Sequence, residues 1–230
     1  MPEVRITPVS GLPEIRPGDD LGALVAARIG ATGGLEEGDV VVVAHKVISK
    51  AEGRLEYAED PLPVAVREAR AIRRRRGGFV IADTPHGFVC ASAGVDHSNA
   101  PAEGVLVLLP ADPDGSAARL REQLARAFGV APAVIVSDSF GRAWRDGTTD
   151  VAIGVAGMRP LLDLRGGRDS RGVPLRATVI AVADELASAA ELVMGKADGI
   201  PVAIVRGYAV PPGEGSAREL VIPRERDLFP

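Results

Sequence analysis

Apolar and polar positions alternate in "VRITPV", residues 4–9, which predicts a first β-strand. "GLPEIRPGDD" follows as a Gly/Pro loop, and Asp19 or Asp20 at its end is placed to cap a helix over "DLGALVAARIG". The β-branched run "GDVVVVAHKVI" is long enough for a fully buried strand. "PVAVREARAIRRRR" reads as a helix with one apolar face and a basic C-terminal end that suits the helix dipole. "GFVIADTPHGFVCASAG" predicts a strand pair about a turn at Pro85–Gly87, and "GVLVLLP" predicts a further strand.

"SAARLREQLARAFG" is amphipathic at helical spacing, with Gly129 at its C-terminal end. "APAVIVSDS" and "DVAIGVAG" read as strands on either side of a dense polar segment, "SDSFGRAWRDGTTD", residues 137–150, which is expected to be a loop. "PLRATVIAVADELASAAELVMG" predicts one long helix rich in small residues, either buried or at a subunit contact. "IPVAIVRGY" closes the sheet system. Helices and strands alternate irregularly, so the pattern predicts a mixed α/β or α+β protein rather than a doubly wound sheet. One domain over residues 1–230 is expected, with room for a smaller lobe.

Composition narrows the chemistry. Aromatic residues make up only 3% of the chain, so the core rests on Val, Ala, Leu and Ile, and base-stacking nucleic-acid modules are disfavoured. A net charge of −4 argues against broad contact with a phosphate backbone. The single cysteine, Cys90, excludes an internal disulfide and any multi-cysteine metal site. The start "MPEVRITPV" lacks a signal-peptide pattern, and acids at positions 184, 185 and 191 interrupt the longest apolar stretch. A cytoplasmic protein without a membrane or nucleic-acid partner is the expectation.

Four polar clusters follow strands, where sites are commonly built. "GLPEI" (Gly11, Leu12, Pro13, Glu14, Ile15) either cradles an anion or a base edge with backbone N–H groups, or is a simple Pro-containing turn. "HKVISKAEGR" places Lys46, Ser49, Lys50 and Arg54 beyond a buried strand; these suit a polyphosphate, or a solvated basic loop. The Walker spacing is absent. "AGVDHSN" supplies Asp96, Ser98 and Asn99 as oxygen donors for a hard cation or a nucleotide, with His97 beside them; Asx turns share this composition. In the polar segment, Asp138 and Ser139 can share a magnesium-type ion, while Arg142 and Arg145 can clamp carboxylates or phosphates, oriented by Asp146 and Asp150. A purely structural ion-pair network is the competing account. Oxygen ligands, several cations and no thiolate pair together point to phosphate chemistry.

"VISKAEGR", "AGVDHSN", "SDSFGRAWRDGTTDVAIGVAG" and "ELVMGKADGIPVAIVRG", in that order, resemble the coenzyme F420-0:L-glutamate ligases over nearly the whole chain. The resemblance implies a mixed α/β fold particular to that family and an intertwined homodimer. It also implies GTP-dependent addition of L-glutamate to coenzyme F420-0, then of further γ-linked glutamates, with manganese or magnesium required and potassium often stimulatory. By position it makes Asp96 and Asp138 metal ligands and places Ser139 at a second metal. Gly11 to Glu14, His45, Lys46, Lys50 and Asn99 match nucleotide contacts. So does the stretch Met194, Gly195, Lys196, Ala197, Asp198, Gly199, Ile200 and Pro201. His45 departs from the small polar residue or glutamine of many relatives, and Ser139 replaces the commoner threonine. Some relatives continue into a flavin-binding nitroreductase-like domain; no such domain and no FMN site are expected in these 230 residues. Two rival readings accompany this one: a weakly active nucleotide-binding domain that serves a flavoprotein reductase, and a glutamate ligase for a different acceptor.

Overall fold

The computed structural model describes residues 3–228; Met1, Pro2, Phe229 and Pro230, the ends of the expected domain, lie outside the described residues. In chain order the first elements are β1 (Arg5–Pro8), α1 (Leu21–Ala31), β2 (Val40–Ala44), α2 (His45–Ala51), β3 (Leu55–Tyr57) and α3 (Pro61–Glu68). Then come β4 (Ala71–Arg76), β5 (Phe79–Asp83), β6 (Val89–Ala91), β7 (Val105–Val107), α4 (Pro113–Phe128) and β8 (Ala133–Arg142). The last are β9 (Arg145–Ala156), β10 (Leu162–Asp163), β11 (Val179–Ile180), α5 (Val182–Met194) and β12 (Val202–Arg206).

The central sheet has the order β1-β12-β2-β8-β9, with β2 and β8 parallel and every other pair antiparallel. Val40 to Val43 of β2 have no solvent exposure at all, which accounts for a β-branched run without alternation. Three smaller sheets, β3-β7, β4-β5-β6 and β10-β11, complete a mixed α/β architecture. The main core joins the central sheet to α1, α4 and α5, and a small separate cluster of Val64, Leu106 and Leu108 lies under α3 and β7. The outer strand β9 has its spare N–H groups capped from helix first turns: Ala152 donates to Asp184 of α5 at 2.9 Å and Val155 to Asp114 of α4 at 2.8 Å. Capping of this kind blunts an edge that would otherwise template pairing with another chain.

Local signals hold at several places. Asp20, not Asp19, caps α1, accepting from the Ala23 N–H at 3.1 Å. Gly129 ends α4 in the left-handed region at φ 72°, as a C-terminal glycine should.

Four expectations are corrected. The buried strand predicted to run on through His45–Ile48 stops at Ala44, and α2 takes over at once. The helix expected to run through the arginines ends at Glu68, and "AIRRRR" becomes β4. Gly77, at φ 59°, makes the two-residue turn that pairs Arg76 with Phe79, so tertiary pairing overrides the helical reading. The long helix expected from Pro174 begins only at Val182, because Val179–Ile180 pairs with Leu162–Asp163 as an antiparallel ladder. Finally, the polar segment is not a loop: β8 and β9 extend through it as a hairpin that pairs Arg142 with Arg145 and turns at Trp144, φ 56°.

Candidate active site

A cleft of about 400 Å³ opens at the C-terminal ends of the parallel pair β2 and β8. Its floor is made by α2, which continues β2 without a loop. Lys46 and Lys50 are one helical turn apart and therefore share a face. Both are nearly buried, at 8% and 6% exposure, and each rests on a carboxylate. Lys50 Nζ donates to Glu14 Oε1 at 2.5 Å, which ties the "GLPE" loop to α2. Lys46 Nζ donates to Asp96 Oδ2 at 2.6 Å and to the Ser98 carbonyl at 3.0 Å. The Ser98 N–H and hydroxyl both donate back to Asp96, at 2.7 and 2.9 Å.

Burial alone would raise the Asp96 carboxyl, but the Lys46 ammonium and the Ser98 donors outweigh it and hold Asp96 well below the usual carboxylate range. Burial pulls the Lys46 ammonium down, and Asp96 opposes that pull.

The Asp96 loop meets the loop after α5 through Asn99. Its φ of 54° is a conformation that asparagine tolerates, and its Nδ2 donates to the Lys196 carbonyl at 3.0 Å. β8 delivers Asp138 and Ser139 to the same cleft. The Ser139 N–H donates to Asp138 Oδ1 at 2.8 Å. His45 is 1% exposed; its Nδ1 meets Ser49 Oγ at 3.3 Å, while its Nε2 lies 3.2 Å from Asp138 Oδ1 but completes no hydrogen bond. An orphaned buried nitrogen beside a cleft carboxylate marks a place where a ligand can complete the polar set.

Asp150 has a different part from the one expected. It does not orient the arginines: it is buried and accepts from Ser137 Oγ at 2.8 Å and Ser139 Oγ at 2.7 Å. Lys196 Nζ lies 3.4 Å from the same Ser139 hydroxyl.

The cleft thus gathers Leu12, Pro13, Glu14, His45, Lys46, Lys50, Asn99, Asp138 and Ser139 with Met194, Gly195, Lys196, Gly199, Ile200 and Pro201, from regions far apart in the chain. Gly11, Ala197 and Asp198 adjoin it within the same loops, and Asp96 lies behind Lys46. Arg142 and Arg145 are not in it. They sit at the exposed hairpin tip, where Arg142 reaches only the Asp146 carbonyl, at 3.4 Å. His97 faces away as well, into a separate hollow with Tyr57, Glu59 and Glu103. Burial, with the Asp138 charge adding to it, pushes the Cys90 thiol up to about 12, so no thiolate is on hand at neutral pH.

Glu191 of α5 also lines the cleft and was missed by sequence reasoning. Its signal was available: it lies one helical turn before Gly195, so it shares a helix face with the start of the "MGKADGIP" loop.

As a metal site the donor set is oxygen-only, which suits a hard divalent ion. Asp138 and Ser139 are adjacent and open to the cleft, whereas Asp96 is already engaged by Lys46, and among the described residues no group of three or more His, Cys, Asp or Glu side chains converges. The residues fit an ion held partly by a ligand's own oxygens rather than by an all-protein cage, as is usual for magnesium with phosphates.

The fold and cleft define a mixed α/β protein whose site joins buried lysines to carboxylate and hydroxyl oxygens. Residues 11–207 match the family model for F420-0:gamma-glutamyl ligase, and the chain belongs to that family. A "Coenzyme F420:L-glutamate ligase" of Methanopyrus kandleri is 43% identical over 253 aligned positions, covering 100% of this chain and 98% of that protein. The protein of the same name from Methanothermobacter thermautotrophicus is 41% identical over 98% of both chains. That of Methanocaldococcus jannaschii is 43% identical over 85% of this chain and 86% of its own. Among the described residues no helix is long and apolar enough to cross a membrane.

Proposed function

We propose that this protein is a GTP-dependent ligase that adds L-glutamate to coenzyme F420-0, and then further γ-linked glutamates, in the biosynthesis of coenzyme F420. Family membership and relatives that carry the ligase name at 41–43% identity support the reading. The observation that carries it is the cleft: two nearly buried lysines on one face of α2, lining the same hollow as Asp138 and Ser139 of β8.

In this reading the γ-phosphoryl group of GTP passes to the terminal carboxylate of the acceptor, giving an acyl phosphate and GDP. The glutamate amine then attacks the acyl carbon, an amide forms and phosphate leaves. Lys46 and Lys50 exchange their carboxylate partners for phosphate oxygens, where charge-assisted hydrogen bonds are strongest. Glu14 is released in the exchange, and its loop closes on the nucleotide from one side while the 194–201 loop closes from the other. Asp138 and Ser139, with Asp96, hold manganese or magnesium. A bound divalent ion supplies charge neutralisation at the phosphates.

Arg142 and Arg145 are assigned to acceptor carboxylates or to the acceptor phosphodiester. Their place at the exposed tip means that they reach a cleft only in a second copy of the chain, so this assignment goes with a homodimer. The test is direct: incubate the protein with GTP, Mn²⁺, L-glutamate and F420-0, and weigh the products. Mass increments of one or more glutamyl residues, with GDP formed in step, are expected. GTP consumption without a glutamylated product overturns the reading.

A further inference from the structure

Four carboxylates line the cleft: Glu14, Asp138, Asp150 and Glu191. Three are already engaged. Glu14 accepts from the Lys50 ammonium, Asp138 accepts from the Ser139 N–H, and both oxygens of buried Asp150 accept from serine hydroxyls. The Glu191 side chain is half-buried, and its carboxylate takes part in no hydrogen bond or ion pair among the described residues. It projects from α5 into a cleft whose nearly buried cations, Lys46 and Lys50, come from α2. Anionic groups of a substrate belong with those lysines, which leaves the Glu191 wall for a cationic one.

The reaction brings such a group. An amino acid enters as an ammonium ion, which has no lone pair to attack with until a proton is taken from it. We propose that Glu191 is the catalytic residue that binds the α-ammonium of the incoming amino acid and accepts its proton. The inference rests on the acyl-transfer reading above. Glu191 takes one N–H proton. The freed nitrogen lone pair forms the C–N bond, and the C–O bond to phosphate breaks with its electron pair leaving on the phosphate. The second N–H proton leaves with that phosphate, so the amide keeps one.

The charged groups acting on Glu191 are Asp150 from β9, and Lys196 and Asp198 from the loop after α5; Asp138 of β8 lines the same cleft. Burial raises the Glu191 carboxyl above the usual glutamate value, the Asp150 charge adds to this, and Lys196 opposes it. A carboxylate raised in this way is the stronger proton acceptor. The sign follows: as pH falls through its raised value Glu191 becomes protonated, so kcat/KM for glutamate drops on the acid side.

Hydroxylamine separates the two readings, because it is largely unprotonated at neutral pH and captures activated acyl groups without a base. Wild type and Glu191→Gln are each given GTP, Mn²⁺ and F420-0, with either L-glutamate or hydroxylamine. The variant is expected to lose amide formation by about 100-fold or more, to lose the acid limb of the pH profile and to keep forming hydroxamate. Retained glutamate ligation in Glu191→Gln overturns the proposal, as does loss of hydroxamate together with amide, which would make Glu191 structural or part of the first half-reaction. Wild type that ligates glutamate but yields no hydroxamate removes the activated-acyl reading, and this inference with it.

Discussion

The two halves of β8 differ sharply within a single strand. Ala133 to Ser137 are buried and paired with β2, and from Val134 onward they also pair with β9, across a bulge between Val136 and Ser137. Asp138 and Ser139 are half-buried at the cleft, Phe140 is half-buried against the core, and Gly141 and Arg142 are exposed. The partner strand mirrors the gradient: Arg145 to Thr148 are exposed, and Asp150 is buried. One ladder, bulged at Val136/Ser137 and at Gly141/Arg142, therefore serves two purposes. Where the sheet fixes the backbone, a carboxylate is set in place at little further entropic cost, because its neighbours are already ordered. Beyond the sheet the same ladder holds its polar side chains out from the molecule, where position means little unless another surface meets them.

Breaking the inner half gives the largest effect. Asp138→Asn keeps the carbonyl oxygen that accepts from the Ser139 N–H, so the melting temperature is expected to change little. On the proposed metal role, removing this anionic ligand is expected to lower turnover by about 100-fold or more, with Mn²⁺ affinity falling alongside. Turnover near that of wild type at low millimolar metal removes Asp138 from the site.

The Lys46–Asp96 pair gives the next effect. Its side chains are 10% and 29% exposed, so Lys46→Met leaves a largely buried carboxylate without its counter-charge. A loss of about 2 kcal/mol is expected, less than for a fully buried pair because Asp96 is partly screened. Lys46→Met with Asp96→Asn should recover most of that stability and none of the activity. Because Asp96 is held below its unfolded value of about 3.9, the pair's contribution is present above that pH and fades as pH falls below it. The gap between wild type and Lys46→Met in thermal melts should narrow in acid; a constant gap assigns the loss to packing alone.

Much of the cleft was legible in the sequence because its parts are short polar motifs at strand ends, each with recognisable chemistry: "GLPE", Lys46 with Lys50, Asn99 with Asp96 behind Lys46, and Asp138 with Ser139. What stayed hidden has physical causes. Glu191 lies inside a helix whose amphipathic pattern already explains it, and its one mark, a place one turn before the 194–201 loop, gains meaning only when the helix is docked. β4 carries four arginines in a row, and a run without alternation reveals neither period; only the Gly77–Gly78 turn betrayed the hairpin. The polar stretch 137–150 failed as a loop for a related reason. Its tip, residues 141–148, is exposed and buries neither face, so it lacks the period-two signal by which strands are recognised.

The outer half gives the smallest effect on stability and the sharpest test of the contrast. Arg142 makes one long contact, to the Asp146 carbonyl at 3.4 Å, and no ion pair with Asp146 or Asp150 among the described residues. Arg142→Lys should therefore shift stability by no more than about 0.5 kcal/mol. Its kinetic effect depends on what the tip meets. A guanidinium that grips a carboxylate or phosphodiester at two points cannot be replaced by an ammonium, so the Michaelis constant for the acceptor is expected to rise several-fold while GTP affinity stays unchanged. Since the tip lies outside its own cleft, the same result requires a dimer in light scattering at the assay concentration. A monomer, or normal kinetic constants for both substrates, makes the outer half of β8 a solvated hairpin and confines the chemistry to the inner half. A loss of GTP affinity would instead place the tip on the donor side and reverse the division between the lysines and the arginines.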